Sequence, residues 1–189
     1  MGTIINFLFA AIKAGTPLLL GTTGEIITEK SGSLNLGVEG MMYMGAFAGF
    51  FIGFHTGNLL LSLLASFAMA AFGALIFAFL TVTLQANQNV TGLALTIFGT
   101  GFANFFGEQM IQSTPGGNPK LSGDFTAVLS ELKIPFLSDI PYIGKVLFSH
   151  NMLVYLAIAV AIICWFYIKH TRAGLRMRSV SYTHLRAHE

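Results

Sequence analysis

An all-α, polytopic bundle of about five membrane-crossing helices, with one long extracytoplasmic loop, is the fold this sequence predicts. Three observations carry that reading. Of 189 residues, 54% are hydrophobic and 10% charged, whereas soluble domains run near ~25% charged; apolar surface on this scale has no aqueous exterior to face. The apolar residues come in runs long enough for the ~20 helical residues that a ~30 Å hydrocarbon core requires. Segments such as "LIFAFLTV" and "AIAVAIICWF" lack the strict alternation of a barrel strand. That leaves helices, which satisfy their own backbone hydrogen bonds in lipid.

The first run is Thr3–Thr28, interrupted by Lys13, Pro17 and Glu25. No Lys or Arg precedes it and no small-residue cleavage pattern follows, so it reads as a membrane segment and not a cleaved leader. A re-entrant hairpin is the alternative to a full crossing. The second run is Val38–Phe54. The third, Asn58–Leu84, is long enough to tilt or to project into the headgroups. The fourth is Val90–Ile111 and the fifth Met152–Ile168, followed at once by Lys169. Between the last two lies Gln112–His150, punctuated by Pro115, Pro119, Pro135 and Pro141. Within it "FTAVLSEL" fits a short helix and "IPFLSDIPYIG" an extended chain.

Basic residues set the orientation. "KHTRAGLRMR" carries Lys169, Arg172, Arg176 and Arg178 with no acid, which places that end in the cytoplasm. Counting back, Gln112–His150 lies outside, Gln85–Asn89 inside, His55–Gly57 outside and Thr28–Gly37, with Lys30, inside. The N-terminus then falls outside.

Three small-residue ridges repeat every four positions: Gly45, Gly49, Gly53, Gly57; Ser66, Ala70, Ala74, Ala78; and Gly99, Ala103, Gly107. Such ladders let helix backbones approach closely; a glycine-walled solute path is the competing reading. Thr96, Thr100, Asn104 and Glu108 share the same spacing, which sets them in one row on the fourth helix. Polar groups at membrane depth face a cavity or a partner helix. The row is therefore either a set of interhelical hydrogen bonds or one wall of a solute pathway. Gln85, Asn87, Gln88 and Asn89 read as a polar turn or as more of that wall. Uncharged amides suit hydroxyl-rich or heterocyclic solutes, offering donors and acceptors without net charge.

Several function classes drop out. A single cysteine, Cys164, rules out a disulfide framework or thiolate metal cluster within one chain. No HExxH, GxSxG or phosphate-loop motif is present, so neither catalysis nor nucleotide binding of those kinds belongs to this chain. No metal-ligand set appears. The net charge of +2 is too small to point to nucleic acid. His55, His150, His170, His184 and His188 fall at span ends or in the tail and read as solvated surface.

The remaining polar cluster carries a family likeness. "TEKSGSLNLGVEGMMYMGAFAG" resembles the signature of bacterial ABC-importer permeases of the branched-chain amino acid and simple-sugar type, above all their nucleoside (purine/pyrimidine) subgroup. The matching residues are Glu29, Ser31, Gly32, Leu34, Asn35, Gly37, Glu39, Gly40, Met41, Met42, Gly45 and Ala46, with Thr28 in place of the usual Ser. "QANQNVTGLALTIFGTGF", "IPFLSDIPYIGKVLFSHNMLVYLA" and "TRAGLRMRSV" resemble further blocks of that subgroup in the same order. After Val180 the likeness stops. The tail "SYTHLRAHE" is similar to translated adapter read-through, so the expectation is that residues 1–180 are the N-terminal part of a longer permease and residues 181–189 are not native.

The resemblance implies a multi-pass permease of the bacterial plasma (inner) membrane, itself without enzymatic activity or cofactor. It implies a cytoplasmic ABC ATPase that binds ATP and Mg, a second permease subunit, and an extracytoplasmic solute-binding lipoprotein. Arg172, Arg176 and Arg178 would then lead into the ATPase-docking segment, or simply anchor the inner end of the fifth helix. Thr28–Gly40 would link the first two helices, with Gly32, Gly37 and Gly40 turning the backbone. Asn35 and Glu39 would fasten the turn, or touch solute directly. A stand-alone channel or secondary transporter is the alternative function. It calls for inverted repeats or broken midplane helices, and no internal repeat is visible.

Overall fold

The computed structural model describes residues 2–130 and 143–177; most of "IPFLSDIPYIG", Arg178 and the tail 181–189 lie outside that set. Among the described residues the helices follow in order: α1 (Gly2–Lys30), α2 (Val38–Thr56), α3 (Leu59–Ala78), α4 (Gln88–Ser113), α5 (Gly123–Val128), α6 (Ile143–Phe148) and α7 (Met152–His170), with a short helical stretch over 172–177 after them. No strand occurs among the described residues. The helix predicted for "FTAVLSEL" starts two residues early, as α5. Ile143 and Gly144, read from sequence as extended, belong to α6.

Asparagines start three of the long helices. Asn58 Oδ1 accepts from the amides of Leu60 (3.0 Å) and Leu61 (3.3 Å). Asn87 Oδ1 accepts from Asn89 (3.0 Å) and Val90 (3.1 Å), and Asn151 Oδ1 from Val154 (3.1 Å). Each answers amides that a helix N-terminus otherwise leaves unpaired. Gly57, at φ +63°, ends α2 and donates its amide to Gly53 O (2.9 Å); that left-handed conformation favours glycine. α3 does not stop at Ala78 but widens into a π turn over Phe79–Thr83, where the buried Thr81 hydroxyl donates to Phe77 O (2.8 Å).

The chain forms two compact units, residues 33–126 and residues 1–32 with 127–189. In the first, α2 lies between α3 and α4. Its glycines face both neighbours. A Cβ on Gly45 would stand 3.0 Å from Ser66 O, and one on Gly49 3.2 Å from Ser62 O. The Ser62 hydroxyl donates to Gly49 O at 2.6 Å. A methyl on Gly45 would press on the α3 backbone, and one on Gly49 would overlap the Ser66 hydroxyl. The ladder is therefore helix packing. The Ser66 ridge takes part only in its first half: Ser66 and Ala70 meet α2, while Ala74 and Ala78 are exposed. On the α4 side, a Cβ on Gly99 would overlap Gly40 Cα, C and O, and one on Gly40 would overlap Leu95 O and Thr96 Cα. Met41, Phe77 and Leu95 fill the core beside this crossing.

In the second unit α1 is one continuous helix of 29 residues with Pro17 inside it. At ~1.5 Å per residue it is longer than a ~30 Å hydrocarbon core, so it is one helix long and apolar enough for a full crossing and holds no hairpin. It runs parallel to α7. The Phe9 ring stacks on His150 (4.6 Å, 8°), Ile12 and Leu19 stand by Val154 and Ile158, and Ile26 and Lys30 by Trp165 and Lys169. Two helices run the same way through a bilayer only if an odd number of crossings separates them. α3 with its π turn and α4 are, like α1 and α7, long and apolar enough to cross. α2 is outside that set; the parallel course of α1 and α7 meets this parity if α2 is the third intervening crossing. Its glycines lower its apolar content, which α3 and α4 make tolerable by covering it.

Candidate substrate pathway

Two predicted clusters meet at one end of the α2–α4 unit. The Leu34 amide donates to Gln88 Oε1 (2.8 Å). The Thr96 hydroxyl donates to Leu36 O (2.8 Å). Asn35, 7% exposed, accepts the Gly37 amide at its Oδ1 (2.9 Å) and points its Nδ2 at Met41 Sδ (3.8 Å). Gly92 allows the α2 loop to sit on α4, since a Cβ there would lie 2.8 Å from the Leu36 amide and 3.0 Å from that of Gly37. The signature stretch is thus a knot tying the start of α2 to the first turns of α4. Asn87 and Gln88, read from sequence as a polar turn or as pathway wall, have their side-chain oxygens engaged here. Glu39 is exposed in the first turn of α2, where the helix dipole favours an acid. Gly32 takes φ +89° just past α1, and Glu29 is exposed in that helix's last turn.

From the knot the polar row climbs α4. Thr96 is held as described. The half-buried Thr100 hydroxyl donates back to Thr96 O (2.9 Å) and Ile97 O (3.0 Å). Asn104 is exposed, with no hydrogen-bond partner among the described residues. Glu108 is exposed and accepts from Gln112 Nε2 at 3.4 Å. Gly101 and Gly107 beside the row face open space; of the third predicted ridge, Gly99 alone makes a close backbone contact. Beyond Thr100 the row is therefore a flank of α4 that α2 and α3 leave bare. An amide at that depth is costly against hydrocarbon and calls for water, solute or another polar surface.

At the opposite end α2 and α4 part around a cleft of ≈ 530 Å³ walled by Phe47, Phe51, Phe106 and His55, with Gln109 at its edge. It opens on a different flank of α4 from the polar row.

Arg172 and Arg176 are exposed on the short helix 172–177. The residues that place them carry no local sequence signal. Thr171 donates its hydroxyl to Tyr167 O (2.7 Å) and receives the Gly174 amide (3.1 Å), closing α7 and opening the next turn. A Cβ on Gly174 would overlap Tyr167 O and Ile168 O. One expectation is corrected: His150 is 2% exposed, not solvated surface. Its Nε2 reaches Val146 O at 2.8 Å, and its ring is covered by Phe9, a contact across the sequence that local pattern cannot reveal. Ser62 was missed for the same reason.

Comparison with known proteins fits this architecture. Residues 7–182 match the model of the branched-chain amino acid transport system permease component family. A protein of Haloferax volcanii, provisionally named a glucose ABC transporter permease, is 34% identical over 95% of this chain and 53% of its own length. A guanosine ABC transporter permease of Bacillus subtilis is 37% identical over 90% and 54%. A nucleoside ABC transporter permease of Lactococcus lactis is 32% identical over 87% and 52%. The chain spans about half the length of these curated relatives. No solved structure matches it. With a family match running through nearly all of its helices, the chain belongs to the permease components of the branched-chain amino acid transport system family, as a multi-pass helical membrane protein.

Proposed function

We propose that the permease containing this chain is the membrane-spanning subunit of an ATP-driven importer for nucleosides or related simple sugars. The observation that carries it is the polar row Thr96–Thr100–Asn104–Glu108, of which Asn104 and Glu108 are exposed. It offers hydroxyl, amide and carboxylate groups along a helix of membrane length and has no basic side chain to hold an anion. The two relatives named for guanosine and nucleoside transport support the solute class; the one named for glucose keeps simple sugars within it. A cytoplasmic ATPase that binds ATP and Mg, a second permease and an extracytoplasmic solute-binding lipoprotein complete the scheme. ATP-driven closure of the ATPases rocks the helix bundles, and the polar wall opens to one side at a time. Radiolabelled nucleoside uptake in bacteria expressing the complete system tests this. Uptake is expected to vanish when either the permease or the ATPase is deleted; uptake that survives loss of the ATPase would mean a channel or secondary transporter.

The same reading places Lys30, Arg172 and Arg176 in the cytoplasm and residues 114–122 outside the inner membrane. Single cysteines at 117 and 173 in the complete permease, probed with a membrane-impermeant maleimide on intact cells, are expected to label at 117 and not at 173. Labelling of both would break the assigned topology.

A further inference from the structure

Between the C-terminal halves of α1 and α7 runs a slot of ≈ 680 Å³. Its length is mostly apolar, walled by Leu19, Ile26, Cys164 and Ile168, with Thr23 donating its hydroxyl to Leu19 O (2.6 Å), and its rim is basic, with Lys30 on one helix and Lys169 on the other. Trp165 stands at that rim with Lys169 Nζ 4.9 Å from its ring centroid. Indole rings favour the headgroup level of a bilayer, so the rim sits where headgroups lie and the apolar wall where acyl chains lie. Arg172 and Arg176 follow within two turns. Among the described residues the acids of this end, Glu25 and Glu29, lie on α1 one residue off the stripe of Ile26 and Lys30; Glu25 Oε2 accepts from the Thr28 hydroxyl (3.0 Å). Both helices also end here, and their terminal carbonyls disfavour an anion, so attraction at the rim depends on the ammonium groups.

We propose that this slot is a binding site for an anionic phospholipid, with one acyl chain along the apolar wall and the phosphodiester between Lys30 and Lys169. A zwitterionic lipid fits the wall equally, but its own cation opposes the two lysines; a net negative headgroup does not. At the strength with which single basic residues attract anionic lipid surfaces, two of them give a preference on the order of tenfold. The proposal does not depend on what the permease transports.

The test uses the complete permease in vesicles containing acyl-brominated phosphatidylglycerol or acyl-brominated phosphatidylcholine. The readout is the fluorescence of Trp165, taken as the emission that Trp165→Phe removes. Bromolipid quenching is expected to be strong with phosphatidylglycerol at mole fractions where phosphatidylcholine quenches weakly. Lys30→Gln with Lys169→Gln should erase the difference, and the paired Lys→Arg changes should keep it. Equal quenching by both lipids would overturn headgroup selection. Quenching by neither would mean that another part of the protein fills the slot, which overturns the site itself.

Discussion

Gly99→Val is expected to remove most of the folded permease from the membrane, while Gly101→Val, two residues along the same helix, leaves its level nearly unchanged. The two substitutions share helix, depth and side chain, so their propensity and transfer terms cancel. What differs is the neighbour. At Gly99 the added carbon meets the Gly40 backbone, whereas at Gly101 nothing lies within 4 Å. Overfilling a packed site costs ~1–3 kcal/mol when side chains can shift. Here the obstacle is main chain on both helices, so the cost should lie at or above the top of that range, a large part of the ~5–15 kcal/mol that holds a domain folded. Separating α2 from α4 would also pull on the knot, because Thr96 to Leu36 O and Gln88 to the Leu34 amide both bridge that crossing. Detergent-solubilised permease measured by fluorescence size-exclusion chromatography reads the outcome. Equal loss for both variants would deny Gly99 its special contact.

The contrast marks what a linear reading can and cannot find. Runs of apolar residues fixed the long helices to within a few positions, since hydrocarbon thickness sets length and asparagine caps set starts. The glycine ladder was legible as packing. Its partner was not: spacing alone gave Gly107 the same standing as Gly99, and only the crossing point of α2 and α4 separates them. Asn87 and Gln88 read equally as a polar turn or as pathway amides, because a cap and a tertiary acceptor leave no periodic signature. Asn35 was legible as a local fastener because its partner, the Gly37 amide, is two residues away. The π turn ending α3 and the covering of His150 by Phe9 depend on contacts remote in sequence. The parallel course of α1 and α7 was different, since it follows from charge placement and the parity of crossings.

Asn104→Leu carries the second large effect, on transport and not on folding. Asn104 lies on the bare flank of α4, more than a full turn beyond Thr100, the last residue of the row whose bond stays within the helix backbone. Leucine keeps the heavy-atom count and branched shape of asparagine and removes both donor and acceptor, and the backbone contacts of Gly99 on the other flank are untouched. If the amide serves a passing solute, uptake per permease molecule should fall roughly three- to twentyfold, the range for losing one polar contact at membrane depth. Membrane level should hold, and Asn104→Gln should restore part of the rate by returning the same groups one methylene farther out. If the amide instead ties α4 to another helix, the leucine variant should lose level and uptake in the same proportion. Initial uptake rates normalised to permease in the membrane separate the two, because only a pathway residue lowers the rate of each surviving molecule.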